Sequence, residues 1–440
     1  MITDIKQYDA LIVGAGIAGI EAALTMGDAN YKVLLIDKSP SVGGVMALLS
    51  KVFPTLDCSS CIATPKMAST LYHPNVDLML YSEIQEIRKI DEADFEATIL
   101  KKPKYVNWDD CTGCSQCEMA CPVIVSDEYQ YGMRGRKAAY IAFDIAVPKK
   151  CVIDIDNCTF CGACERVCPT SAIDFLQIPE LVTIKARSVI VATGFTLFDP
   201  SSLPQFGYGK SKNVITAMQM DRLLAPTRPY NAVLRPSDGK EPSKIAYLFC
   251  VGSRDQTVGN PLCSQICCMY SIKQAQLILG ALPLGDVYMF YIDIRAQGKG
   301  FEEFYRQAKD MGTNFIKGRI TYVSEDENGD VHVKYEDIDD NGQIKEDVFD
   351  LVVLSVGIWP NTQYKQFFKN VNLQTDSLGW IEQVEFNLNP VQTSIPGVFA
   401  AGCSVGPKDI PDTIVESNAA VAQAMNYIET HKFGVLELEK

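Results

Sequence analysis

Residues 8–19 read Y-D-A-L-I-V-G-A-G-I-A-G. A short apolar run ends in Gly14, Gly16 and Gly19, and Ile20–Met26 goes on at helical spacing, so the stretch is a buried strand turning into a helix. The first glycine serves the tight turn, the second lets backbone approach a pyrophosphate, and the third lets the helix pack closely on the strand. The backbone amides of Gly14, Ala15, Gly16, Ile17, Ala18 and Gly19 then face the phosphates at a helix N-terminus. Tyr31–Asp37 is a second buried strand, ending in an acid 18 residues after Gly19. Asp37 is placed for ribose hydroxyls, and a Rossmann-type βαβ unit opens the chain.

Working outward, 440 residues amount to roughly three folding units at about 150 residues each. A composition of 47% hydrophobic and 21% charged residues is that of a globular chain and excludes a largely disordered or coiled-coil protein. A net charge of −14 argues against a nucleic-acid surface or an electrostatic membrane anchor and favours soluble protein partners. The longest apolar runs, Ala10–Ile20 and Leu351–Trp359, fall short of the roughly 20 residues that cross a bilayer, so no transmembrane segment is expected. Met1–Asp9 has no basic region leading into a long apolar one, so no secretory signal is expected and the cytoplasm is the expected compartment. There, 16 clustered cysteines point to metal ligation rather than disulfides.

From Asn107 to Phe175 nine cysteines accumulate and the apolar runs shorten, which marks an insertion. Leu181–Gly194 resumes with two strand-like runs that rejoin the first unit. Ser201–Gly239 reads as irregular connection with one short helix at Ala217–Leu224. Lys244–Val251, Asp286–Ile292 and Leu351–Val356 read as buried strands, Ser271–Leu279 and Glu302–Met311 as helices, and D-E-N-G-D and D-D-N-G-Q as hairpin turns. The expected organisation is a first dinucleotide-binding part at 1–106, the insertion at 107–178, a second part of the first domain at 179–240, a second α/β domain at 241–357, and a return to the first domain at 358–440.

Cys111, Cys114, Cys117 and Cys121 precede Pro122, and Cys158, Cys161, Cys164 and Cys168 precede Pro169: two copies of C-x2-C-x2-C-x3-C-P. Three thiolates at this cadence wrap one [4Fe–4S] cube while the fourth reaches its neighbour. Cys111, Cys114 and Cys117 therefore pair with Cys168, and Cys158, Cys161 and Cys164 with Cys121. Zinc ribbons share C-x2-C pairs but need no third and fourth cysteine at this spacing. The segment resembles bacterial two-cluster ferredoxins with a much longer middle loop, Pro122–Asn157, expected to form a hairpin or a docking surface. Cys250, Cys263, Cys267 and Cys268 are either ligands of a third cube or buried free thiols. Cys250 ends a strand where a nicotinamide domain would carry its glycine fingerprint, and V-G-S-R-D-Q-T-V-G-N has none. Cys58 and Cys61, in L-D-C-S-S-C-I-A-T-P-K-M, are either a redox-active pair beside a flavin or two inert thiols. Cys151 reads as structural, and the three histidines carry no motif.

Asp37-Lys38 through Gly43-Gly44, the later Ala192-Thr193-Gly194, and G-V-F-A-A-G-C ending at Gly402-Cys403 resemble the flavin-contacting segments of thioredoxin reductase-like flavoproteins. That resemblance implies FAD and an α/β fold of two dinucleotide-binding domains, here with an inserted α+β two-cluster ferredoxin domain. Cys403 stands where that family usually has the Asp that holds the ribityl chain. Lys66 and Lys408 are the candidate cations beside a flavin, or else solvated surface lysines.

Together with F-C-V-G-S-R-D, C-S-Q-I-C-C, D-I-R-A-Q-G-K-G-F-E-E-F-Y and A-G-C-S-V-G-P-K-D-I-P-D-T, these segments closely resemble the HdrA component of heterodisulfide reductase. The resemblance implies three [4Fe–4S] clusters around one FAD, the third on Cys250, Cys263, Cys267 and Cys268, and flavin-based electron bifurcation. It further implies a homodimer within a soluble complex of HdrB-like and HdrC-like subunits, with a hydrogenase-, formate dehydrogenase- or MvhD-like electron donor and ferredoxin. Relative to the long form of that family, further cluster domains before Tyr8 and after Lys440 are expected to be lacking, their role left to a partner. The alternatives are a non-bifurcating electron relay in a quinone-linked or sulfur-metabolism complex, and an NAD(P)H-dependent flavin oxidoreductase.

Overall fold

The computed structural model describes residues 5–91 and 94–432. Strand Lys6–Val13 lies inside a seven-stranded sheet, with Val33–Asp37 and then Val76–Leu80 parallel on one side and Glu180–Val191 parallel on the other. Helix Ile17–Asp28 follows the glycine turn as the sequence requires. Glu180–Val191 is one strand of 12 residues where two runs are read from the sequence. Its first half is exposed or partly covered up to Thr183, with half-buried Lys185 and Arg187 alternating with buried residues beyond it, and pairs antiparallel with Phe95–Lys101. Its last four residues are continuously buried, and its second half pairs parallel with both Lys6–Val13 and Val398–Ala400. A change from half-covered to fully covered sheet therefore looks, in sequence, like a break.

The insertion leaves the sheet after Lys101 and re-enters at Glu180, and these two residues are register partners. Its two short helices, Gln116–Ala120 and Ala163–Val167, repeat one design: a left-handed residue before the first turn, Ser115 or Gly162, and a cysteine, Cys121 or Cys168, ending the last. Val106, Ala139, Cys151 and Ile153 of the insertion join Ile12, Ile20 and Leu35 of the first domain in one continuous core. The helix Ile410–Lys432 packs on the same core through Ala420, Val421, Ala424 and Ile428.

The second sheet runs Val214–Thr216, Leu351–Val356, Lys244–Val251, Asp286–Tyr291, Asn314–Glu325, Val331–Asp337 and Gln343–Phe349, parallel through the first five and antiparallel through the hairpins. The expected segment 179–240 is thus divided: Val214–Thr216 and the helix Ala217–Leu224 belong to this second sheet. The three-residue strand is too short to signal itself, although Thr216 and Gln219 form a complete capping box. Two strands, Phe195–Leu197 and Ile358–Pro360, pair antiparallel where the chain passes between the domains. Among the described residues no helix is long and apolar enough to cross a membrane.

One carboxylate pins the edge of the second domain. Asp350 accepts from Ser243 N–H at 2.8 Å, the Ser243 hydroxyl at 2.6 Å and Lys244 N–H at 2.9 Å, and pairs with Arg235 at 3.1 Å. Burial alone would raise its pKa, but these donors outweigh it and hold the carboxyl below the usual aspartate range. A depressed folded pKa adds stability above the unfolded value that is lost as pH falls through the folded one. Asp350→Asn is therefore expected to cost about 1–3 kcal/mol at pH 7, with urea midpoints of variant and native protein converging as the pH drops through the acid range.

Candidate functional site

The open helix end comes first. Gly14 has φ +106, and a side chain there would run into the Ala192 carbonyl oxygen; at Gly19 it would meet that of Gly14. Gly16 caps the helix without a side-chain hydrogen bond, and a Cβ on it would meet nothing within 4 Å. Beyond Gly16, Ile17, Ala18 and Gly19 form the helix's first turn, whose amides have no partner within the helix, the surroundings a pyrophosphate needs. Asp37 places one carboxylate oxygen on Ala15 N–H at 2.6 Å and the other on Ser39 N–H at 2.8 Å, while burial pushes its pKa up. It therefore shapes the glycine loop. Gly44 abuts Gly16, next to Gly43, and Lys38 turns outward to Gln363 at 2.8 Å.

Ala192, Thr193 and Gly194 follow the long strand, and the buried Thr193 hydroxyl has no partner among the described residues. Opposite them in the sheet, Gly402 donates its N–H to Glu416 at 2.6 Å, and Lys408 reaches the same carboxylate oxygen at 2.6 Å. Cys403 lies against the Lys408 carbonyl at 3.5 Å, and burial raises its thiol pKa. Glu416, on the following helix, thus brings a carboxylate to the Gly402 turn beside Cys403. Lys66 is bound to Glu21 at 2.6 Å. Neither candidate lysine is a solvated surface cation: both are ion-paired and partly buried. An open glycine turn, an acid at the strand end and an orphaned buried hydroxyl fit a dinucleotide flavin.

The cysteines fall into three sets. Cys111, Cys114, Cys117 and Cys168 line one cavity, with Cys151 as a fifth sulfur, and Cys121, Cys158, Cys161 and Cys164 line another. Each cavity therefore draws three sulfurs from one motif and the last from the other. Cys151 lies against Cys117 and holds its thiol down at about 7, whereas burial pushes Cys164 up to about 11. In the second domain Cys250, at φ +60, is the penultimate residue of the strand Lys244–Val251, and Cys267 and Cys268 begin the helix Cys267–Ala281. Burial and the mutual repulsion of Cys250, Cys263, Cys267 and Cys268 raise Cys267 strongly and push Cys268 up to about 12. Arg254 stands beside Cys250 and is held by Asp293 through a two-pronged ion pair. Four such sulfurs cannot ionise together without a cation among them, and the iron of a cluster has that charge.

Sequence reasoning missed the seam between the domains. Lys273, 2% exposed, pairs with Asp221 at 2.7 Å and donates to the Lys51 carbonyl at 3.0 Å, while Ser50 donates to Asp221 at 2.5 Å. The fully buried Arg222 donates to the Leu48 carbonyl of the first domain, to Gln130 of the insertion at 3.0 Å, and to Thr227. The middle loop of the insertion forms the hairpin Ile124–Ser126 with Gly135–Lys137, and its tip is turned inward. Tyr129 meets Ser39 of the first domain, the Tyr131 and Met133 carbonyls accept from Gln219 and Tyr230, and Met133 enters the second domain's core. The one available signal was a lysine and an aspartate in otherwise apolar helical runs.

Residues 9–61 match the FAD dependent oxidoreductase family and residues 110–172 the 4Fe-4S dicluster domain family. Among solved structures the chain is similar to thioredoxin reductases of Lactococcus lactis and T. acidophilum, each with TM-score 0.54 and 16% identity, over 96% and 97% of this chain and 99% of each of theirs. The class so defined is a thioredoxin reductase-like FAD oxidoreductase fold with a dicluster ferredoxin domain. The chain is 44% identical over 424 residues to the HdrA component of the H(2)/formate:CoB-CoM heterodisulfide,ferredoxin reductase of Methanococcus maripaludis. It is also 44% identical over 415 residues to the iron-sulfur HdrA component of the CoB–CoM heterodisulfide reductase of Methanocaldococcus jannaschii. These alignments cover 96% and 94% of this chain but 64% and 63% of the relatives, so it spans a little under two thirds of their length. The chain is a relative of heterodisulfide reductase HdrA.

The buried seam gives a stability test. Asp221→Asn leaves the Lys273 ammonium uncompensated and is expected to cost about 3–5 kcal/mol in anaerobic denaturant titrations. Replacing both partners, Asp221→Leu with Lys273→Met, is expected to recover most of that loss, because no unpaired charge remains.

Proposed function

We propose that the chain binds one FAD and three [4Fe–4S] clusters and is the electron-splitting component of a heterodisulfide reductase-like complex. The observation that carries this is the interleaving of the two cysteine motifs around two cavities, with a third four-sulfur set in the second domain. Cys111, Cys114, Cys117 and Cys168 would hold one cluster, Cys121, Cys158, Cys161 and Cys164 the second, and Cys250, Cys263, Cys267 and Cys268 the third. When bound, FAD exchanges electrons in pairs or singly and each cluster passes one at a time, so the set converts between two-electron and one-electron chemistry.

The chain's own residues set the conditions. The first-turn amides beyond Gly16 would hold the pyrophosphate, Asp37 would keep the glycine loop in shape through Ala15 N–H, and Thr193 and the Glu416–Lys408 pair line the neighbouring strand ends. Cys151 beside Cys117 and Arg254 beside Cys250 lend hydrogen bonds and charge to the sulfurs, a lever on cluster potential. The name of the Methanococcus maripaludis relative joins a heterodisulfide and ferredoxin as acceptors, which supports splitting over simple relay. The partners in this reading are HdrB-like and HdrC-like subunits, a hydrogenase- or formate dehydrogenase-linked donor, and ferredoxin, around a homodimer.

Anaerobically purified chain is expected to contain about 12 iron atoms and one FAD, since each cube holds four irons. Cys168→Ser is expected to perturb the spectrum of the cluster on Cys111, Cys114 and Cys117, and Cys121→Ser that of the other. With the partner complex, electron delivery from hydrogen or formate should reduce ferredoxin only while the high-potential acceptor is also present. Ferredoxin reduction independent of that acceptor would favour a relay, and flavin bleaching of the isolated chain by NADH would favour a nicotinamide-dependent enzyme.

A further inference from the structure

Cys58 and Cys61 are left over when the three sets are assigned. Free cysteines are ordinarily among the most buried residues, yet Cys61 is exposed and Cys58 only partly covered. Both sit at the start of the 14-residue helix Ser59–Tyr72, where Cys58 is the N-cap and its sulfur accepts from Cys61 N–H at 3.3 Å. The N-cap and the first-turn position that it caps therefore bring the two cysteines together at one helix end. Three contacts fix this end of the helix. Ser59 donates to the Met46 carbonyl, Cys58 forms a β-bridge with Lys51, and Val52 N–H donates to Asp57 at 2.9 Å. The loop between is anchored on the second domain by Phe53, whose ring meets Phe301 edge-on at 5.6 Å. The result is a dithiol on an anchored base, with Cys61 exposed and Cys58 partly so.

The two thiols are also unequal. Burial would raise Cys58, but the Cys61 thiol, the N–H groups of Cys61 and Ser60 and the Lys51 ammonium outweigh it and hold Cys58 below an ordinary thiol. Cys61 is raised, chiefly because it donates to Cys58. A helix N-terminus favours such a thiolate and makes it the attacking sulfur.

We propose that Cys58 and Cys61 are a redox-active dithiol that reduces a disulfide presented at the surface of the first domain. Cys58 attacks one sulfur of the incoming disulfide. That S–S bond breaks, a mixed disulfide forms on Cys58, and the first thiol departs with the proton Cys58 has released. Cys61 then attacks Cys58, its proton going to the second departing sulfur. Two electrons and two protons leave the dithiol, two thiols leave the substrate, and a Cys58–Cys61 disulfide remains. No cluster or flavin enters the step, so it stands apart from the electron-splitting reading.

The test uses the full chain, purified anaerobically with its cofactors, reduced, desalted and mixed with dithiodipyridine. A fast phase releasing two thione equivalents per chain is expected, and the tryptic peptide 52–66, which contains both cysteines, should be lighter by two hydrogens. Cys61→Ser should release one equivalent and leave the mixed disulfide on Cys58. Cys58→Ser should slow the fast phase at least about tenfold, its thiolate being lost. Serine is itself a good N-cap, so the helix start survives the change. The rate should rise with pH about a midpoint below the roughly 8.5 of a free cysteine. Two separate mixed disulfides without closure, both thiols still alkylatable after exchange, or iron or zinc retained on the pair would each overturn the proposal. Iron and FAD content, measured on the same samples, reports on the electron-splitting reading independently.

Discussion

Lys101 and Glu180 face each other across an antiparallel ladder, and the entire dicluster segment is strung between them. A segment that departs and returns at paired residues acts on the sheet as an oversized hairpin loop. Loop-closure entropy grows only slowly with length, so such an insertion is tolerated if it packs. It packs through Val106, Ala139, Cys151 and Ile153, which share a core with the glycine-turn helix. The cysteine cavities are thereby fixed relative to the dinucleotide cradle by the same strand, Glu180–Val191, that ends at Ala192 and Thr193.

Charge is the second organising constraint. Each cysteine set gathers four thiols whose ionised forms repel, and in the buried second-domain set the repulsion adds to desolvation. The chain resists complete ionisation there until positive charge arrives, so a cluster bound on this set, as proposed, would also order it. Arg254, clamped by Asp293, already lends one fixed cation. Elsewhere the chain compensates its charges internally, with Lys408 on Glu416, Lys66 on Glu21 and Lys273 on Asp221.

What was legible in the sequence follows from periodicity and spacing. The glycine turn, the buried strands and the C-x2-C-x2-C-x3-C-P repeats are local patterns with one structural solution each, and the strands at Lys244 and Leu351 and the helix at Ala217 stand where the apolar runs put them. Val214–Thr216 escaped because three residues have no period, and the long strand was divided because its two halves are covered differently. The seam escaped for another reason. Arg222 is polar in a short amphipathic helix and reads as solvent-facing, and only the arrival of Leu48, Gln130 and Thr227 from distant segments makes its burial possible. Glu416 is equally silent, because it meets Lys408 and the Gly402 amide only once the turn before its helix folds back on it.

The inward-turned hairpin tip changes how the dicluster segment is to be regarded as an engineering unit. Gln130 satisfies a guanidinium belonging to the opposite domain, and Met133 fills that domain's interior. Grafted elsewhere as a cassette, the segment would arrive with an apolar tip and no socket. Exchanged for a compact bacterial ferredoxin lacking the tip, it would leave Arg222 facing a void. A chimera that respects the architecture has to carry the tip and its socket together.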